Sequence, residues 1–207
     1  MLYRIFGIVG SGSSTTALDR VVNSKYDNVL LITNEMLPKT YAKKLKVYQE
    51  NTSKIIVNNI TIKAVEYGAQ DVQIDLILDE AIGKYDCVLI DRLEGISCED
   101  GDCVISPSVF YDDICEKYAS FSKENDIDII VAQHLNRDYL SYKSFDEAMK
   151  EFCTLELPDD QEFILNYRST TDNGIAFIKL YERRSNLIRS FNINKYFKQN
   201  DEIDKLS

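Results

Sequence analysis

Short apolar runs alternate with amphipathic segments along most of this chain, and that alternation limits its fold more than any other feature. Ile5–Val9 reads as a strand, and Thr15–Asn23 as a helix with Ala17, Leu18, Val21 and Val22 on one face. Asn28–Thr33 is an unbroken apolar run of the kind that fills a strand covered on both faces. Leu37–Gln49 predicts a Lys-rich helix, Lys54–Asn58 a short strand, Asp71–Ile82 a helix, and Cys87–Ile90 a strand ending at Asp91. Val109–Glu124 and Ile127–Ala132 repeat the helix-then-strand order. Strands and helices alternating at this spacing need crossover connections, which predicts an α/β fold with three layers and a mainly parallel central sheet. Near the end the texture changes. Glu162–Tyr167 and Gly174–Tyr181 flank Arg168–Asn173, which predicts an antiparallel hairpin. Residues 1–182 read as one domain, and 183–207 as a polar C-terminal tail, either loose or carrying an extra helix.

Composition narrows the class of function. The 207 residues carry 34 acidic and 24 basic side chains, a net charge of −10, which disfavours generic polyanion binding because nucleic-acid affinity comes largely from Lys and Arg neutralising phosphates. A local basic surface in an oligomer still leaves DNA or RNA open. No run approaches the length of a membrane span, and the N-terminus has no signal-type apolar region. Five cysteines, an odd number without a C-x2-C pair, predict reduced thiols and a cytoplasmic location rather than a disulfide frame or a zinc site. The Lys39, Lys43, Lys44 and Lys46 group reads as a solvated helix face, or else as a contact for phosphate or an acidic partner.

The first predicted strand runs into Gly7-Ile-Val-Gly10-Ser11-Gly12-Ser13-Ser14-Thr15 and then into the first helix. Glycines there let backbone N–H groups curl around phosphate oxygens, and the helix N-terminus adds partial positive charge. The spacing Gly7-x4-Gly12 is that of a Walker A loop, with Ser14 at the position whose hydroxyl holds Mg²⁺. Ser13 stands where the lysine for the β- and γ-phosphates belongs. Two readings follow: a nucleotide site that is weak or borrows a basic group from elsewhere, or a strand-to-helix turn in which Ser13 or Ser14 caps the helix.

In an open parallel sheet ligands gather at the carboxyl ends of the strands. Those ends carry Glu35, Asp91 and Gln133. Asp91 suits a Walker B carboxylate holding Mg²⁺ through water, Glu35 a base for the attacking water, and Gln133 a sensor of the terminal phosphate. Taken singly, Glu35 is equally a first-turn helix acid, and Asp91 a cap.

These stretches, in this order, resemble the RecA-like ATPase core of DnaB-type replicative helicases. Phe6–Thr16 occupies the place of the Walker A loop, and Val29–Met36 is similar to the strand ending in Ser-Leu-Glu-Met. Tyr85–Asp91 resembles the Walker B strand, and Ile129–Arg137 the strand ending in Ser-Gln-Leu-Asn-Arg. Phe163–Arg168 resembles the segment with Lys-x-Arg, where Arg168 matches the arginine that reaches a neighbouring subunit's nucleotide and Asn166 replaces the lysine.

The resemblance implies a P-loop NTPase-like, RecA-like fold with ATP and Mg²⁺ as ligands. Gly7, Gly10, Ser11, Gly12, Ser13, Ser14 and Thr15 would hold nucleotide, Ser14 and Asp91 the metal, and Glu35, Gln133 and Arg168 would act on it. It further implies a protein partner or homo-oligomer and work in DNA replication, recombination or a mobile element. With both lysines absent, at 13 and 166, hydrolysis is expected to be weak or lost, and a pseudo-ATPase scaffold is the alternative. ParA/MinD-type ATPases offer a second resemblance, in which Gly101–Pro107 is an added strand and Leu155–Asp159 a short strand ending in Pro-x-Asp.

Overall fold

The computed structural model describes residues 1–7, 11–34, 36–52, 56, 59–97, 107–134, 144–170 and 176–196. The first half runs β1 (Leu2–Gly7), α1 (Ser13–Val22), β2 (Asn28–Thr33), α2 (Pro38–Thr52), β3 (Asn59–Ala64), β4 (Ala69–Gln70), α3 (Asp71–Ala81) and β5 (Cys87–Asp91). Then follow β6 (Ile96–Ser97), α4 (Pro107–Asn125), β7 (Asp128–His134), α5 (Phe145–Phe152), β8 (Gln161–Thr170), β9 (Ala176–Glu182) and β10 (Leu187–Asn192). Eight strands form one sheet in the order β10-β9-β8-β1-β7-β5-β2-β3, parallel from β8 through β3 and antiparallel in the β8–β9–β10 meander. β4 and β6 pair separately.

Side chains alternate across a strand, and each central strand here is apolar on both faces because helices cover both. On one face Ala17, Leu18 and Val21 of α1 and Tyr41 and Tyr48 of α2 pack on Ile5, Val29, Leu31, Leu89, Ile130 and Ala132. On the other, Ile74, Ile77 and Leu78 of α3 and Ile114, Cys115 and Tyr118 of α4 pack on Leu2, Leu30, Ile32, Val88, Ile90, Ile129 and Val131. α5 extends this second layer, with Phe145 and Phe152 against Phe6, Phe163, Leu165 and Tyr181. Arg4 is buried between these two clusters. Its guanidinium lies 5.0 Å from the Phe6 ring and 5.1 Å from the Phe163 ring and donates to Asp112 Oδ1 at 2.8 Å.

The three-layer α/β architecture is the one predicted, with differences at the edges. The short strand expected at 54–58 lies mostly outside the described residues, and the edge strand is Asn59–Ala64 instead. An edge strand buries one side only, and its mixed Asn-Ile-Thr-Ile-Lys-Ala sequence reads as polar. The short strand that the ParA/MinD alternative placed at 155–159 does not form, because these residues turn from α5 into β8; most of its other added strand, 101–106, lies outside the described residues.

The segment read as a tail from 183 onward contributes to the sheet. β10 pairs antiparallel with β9, and a 3₁₀ turn at Ile193–Tyr196 folds back over α1 and α2. Tyr196 stacks on Tyr48 at 5.0 Å, and its hydroxyl donates to Asp19 Oδ1 at 2.8 Å. Tyr196→Ala is expected to cost about 3 kcal/mol, measured by urea unfolding, as for other large buried aromatics. Unchanged stability would return this segment to the status of a tail.

Candidate functional site

β1, β2, β5, β7 and β8 all end at one edge of the parallel sheet, and α1 starts there. The turn into α1 is dictated by close contacts. A Cβ on Gly7 would lie 2.1 Å from Ser11 Oγ, so a larger residue there would force the serine hydroxyl away from its place beside Asn166. Gly12 is the N-cap residue of α1, left-handed at φ 87°, and a Cβ there would meet Ile178 Cδ1 at 3.0 Å and Ile193 Cδ1 at 3.2 Å. Ser11, Ser13 and Thr15 are buried. Gly10, the remaining glycine of the predicted loop, lies outside the described residues.

Asn166 sets the position of this turn. It is buried on β8 opposite Gly7, and its Nδ2 donates to the Ser11 carbonyl at 2.9 Å and to Ser11 Oγ at 3.1 Å. Its Oδ1 accepts from Thr16 Oγ1 at 2.7 Å. At the position where the resembled family carries lysine, this chain has an amide that satisfies the turn's own polar groups. Arg168, two residues on, falls on the same sheet face by strand alternation and is half-buried.

Asp91 closes β5 on the face that carries α1 and α2, and it is 0% exposed. Ser14 Oγ donates to its Oδ1 at 2.8 Å, and the Tyr41 hydroxyl, from α2, donates to its Oδ2. A carboxylate this deep requires such donors, because burying a charge without partners is costly. The sequence pointed to Ser14 and Asp91 as a pair, and the structure joins them. Tyr41 was missed. Its place in the Lys-rich helix gives no sign that its ring points inward.

Lys44 lies one helical turn after Tyr41, on the same face of α2. Its Nζ donates to Thr15 Oγ1 at 3.2 Å and lies 6.0 Å from the Tyr41 ring. Lys44 therefore reaches the first turn of α1, whereas Lys46 points outward beside Glu50.

Gln133 is not brought to the loop. On β7 it shares a face with Ile129 and Val131, the α3/α4 side, and its Oε1 accepts from Arg4 Nε at 3.2 Å and Nη2 at 2.9 Å. The expectation that it faces a terminal phosphate rested on its position at a strand end and ignored the parity of the strand. Glu35 lies outside the described residues. Its neighbour Asn34 brackets the backbone after Asp91, donating to the Arg92 carbonyl at 2.8 Å and accepting from Arg92 N–H at 2.9 Å. Gly95 packs so closely on Asn34 that a Cβ would come within 2.4 Å of it. Beyond this lie His134 and Arg92, with Arg92 Nη1 2.8 Å from His134 Nδ1; arginine can only donate, so that ring nitrogen accepts.

The donor set suits a magnesium ion. Ser14 gives its hydroxyl hydrogen to Asp91, which leaves the lone pairs of Oγ for a hard cation, and Mg²⁺ commonly keeps waters and takes few protein ligands. Among the described residues there is no cluster of three or more His, Cys, Asp or Glu able to hold a metal by themselves. A polyphosphate would find the N-terminus of α1 free of acidic residues in its first turn and without a side-chain cap from Gly12. Asn166→Ala, which strands the Thr16 hydroxyl and the Ser11 carbonyl, is expected to destabilise the fold by about 2 kcal/mol in denaturant unfolding. A loss below about 0.5 kcal/mol would mean that the turn is held elsewhere.

No protein-family model matches the sequence, and no curated protein matches it. Among solved structures, a DnaB-like replicative helicase, described with its interactions with primase, superposes at a TM-score of 0.61 with 16% identity, over 91% of this chain and 54% of that chain. RadB recombinase superposes at a TM-score of 0.61 with 14% identity, over 94% of this chain and 88% of that chain. This chain thus spans about half the length of the helicase chain. At these identities the likeness is one of fold, and that fold is the RecA-like, P-loop NTPase-type α/β domain shared by the helicase and the recombinase.

Proposed function

We propose that this chain is a RecA/DnaB-like nucleotide-binding protein that takes Mg-ATP at the β1–α1 turn and hydrolyses it weakly or not at all. The observation that carries this reading is the 2.8 Å hydrogen bond from Ser14 to Asp91, which couples the start of α1 to the end of β5. Such a pair would have a use beyond packing: the serine oxygen could ligate Mg²⁺, and the carboxylate behind it would favour the cation electrostatically. In this scheme the N–H groups at the start of α1 hold phosphate oxygens, Ser14 and Asp91 hold Mg²⁺, and Arg168 serves a neighbouring protomer's site. Glu35 is the proposed base. ATP supplies the anhydride whose cleavage the family harnesses.

Three features favour weak turnover. Serine replaces lysine at 13, asparagine replaces it at 166, and Gln133 is bound to Arg4 on the opposite face of the sheet. The fold likeness to a helicase and a recombinase supports a setting in DNA replication, recombination or a mobile element, with a protein partner or a second copy of the chain completing the assembly. No helix among the described residues is long and apolar enough to cross a membrane. The odd number of cysteines without a C-x2-C pair supports a reducing compartment, and we propose the cytoplasm.

A scaffold that binds no nucleotide is the second reading, and one observation favours it: Asp91 is fully buried with both oxygens already engaged. Calorimetric titration with Mg-ATP separates the two. The nucleotide reading expects saturable binding, a stabilisation of about 2.7 kcal/mol at 100 times Kd, and at least tenfold weaker affinity in Ser14→Ala. The absence of binding at millimolar Mg-ATP would leave the scaffold.

A further inference from the structure

Serine at 13 removes the positive charge that a polyphosphate needs at this loop, yet a lysine from another element stands beside it. We propose that Lys44 of α2 supplies the cation for the β- and γ-phosphates of the bound nucleoside triphosphate, in place of the missing loop lysine; this rests on the nucleotide-binding reading above. Lys44 Nζ lies 3.2 Å from Thr15 Oγ1, in the first turn of α1, where backbone N–H groups lack intrahelical partners. Tyr41, three residues earlier on the same helix face, donates to Asp91. One face of α2 therefore lines both halves of the site, with Tyr41 on the metal side and Lys44 on the phosphate side.

The chemistry fits the residue type. An ammonium on a flexible four-carbon stem is a mobile point charge with three donors, able to reach a phosphate oxygen at this helix start by rotation of its own torsions. Phosphate is a favoured acceptor because its negative charge adds Coulomb attraction to a hydrogen bond that the ammonium already strengthens. Delivery from a neighbouring helix also differs from delivery by the loop itself. The charge arrives only while α2 is packed on α1, so binding of the phosphates tightens that helix pair.

The test compares Lys44→Met, which keeps the apolar stem, with Lys46→Ala, which removes the same charge from an outward-facing position of the same helix. Calorimetry with Mg-ATP and with AMP, on the full chain, reads both. Lys44→Met is expected to weaken Mg-ATP by about 10- to 100-fold and AMP by less than about threefold, with Lys46→Ala near wild type for both. The melting temperature of the nucleotide-free protein reports the competing role as a mere tether between helices, and it is expected to move by less than about 2 °C in Lys44→Met. Wild-type binding with equal effects of the two substitutions, or equal losses for ATP and AMP, would overturn the role of Lys44 and leave the nucleotide site standing. A wild-type protein that binds no Mg-ATP would overturn both.

Discussion

A carboxylate removed from water must be compensated where it lies, and Asp91 is the group around which the carboxyl edge of the sheet is organised. Its two oxygens draw Ser14 from α1 and Tyr41 from α2, so one buried charge fixes both helices of that layer relative to β5. Breaking such an arrangement by removing one partner costs more than the arrangement itself contributes, since an unpaired buried charge remains. The start of α1 is therefore positioned from two sides, by Asp91 beneath Ser14 and by Asn166 beneath Ser11 and Thr16. The start of this helix is preorganised. Polar groups that a ligand would otherwise have to order are already held in place.

The central strands and their covering helices were legible because both faces are apolar and the turns between them are polar. Asn28–Thr33 and the run from Cys87 to Asp91 match their predicted strands almost residue for residue. What could not be read are the elements whose burial depends on neighbours remote in sequence. β10 exposes Leu187 and Ile188 at the sheet's edge, and nothing local says that Ile193 and Tyr196 will return to cover α1 and α2. α5 is only eight residues long, and its Phe145 and Phe152 acquire meaning only beside Phe6 and Phe163. At the site, Ser14 and Asp91 followed from loop spacing and strand ends. Tyr41 and Lys44 did not, because a charge-rich helix reads as a solvated one until its inward face is known. Gln133 shows the converse error, since a residue at a strand end has two faces to choose from and only the sheet decides.

Asn166 and Lys44 together describe a redistribution of roles. The β8 position that the resembled helicases give to a lysine here serves the internal hydrogen bonding of the turn, while a lysine has come into contact with the same turn from α2. The electrostatic character of the first turn of α1 is thus set by an element outside the loop motif. Asn34 and Gly95 do the same for the backbone after Asp91, where two residues separated by three strands and two helices pack closely against each other.

Gly12 bears on how such loops change over evolutionary time. The space that its missing Cβ leaves is filled by methyl groups of Ile178 and Ile193, from the terminal meander and the turn that follows it. Selection on packing alone therefore keeps a glycine at this position, with or without phosphate in the site. Lineages of this fold can shed nucleotide chemistry while the glycine signature persists as a fossil of core geometry.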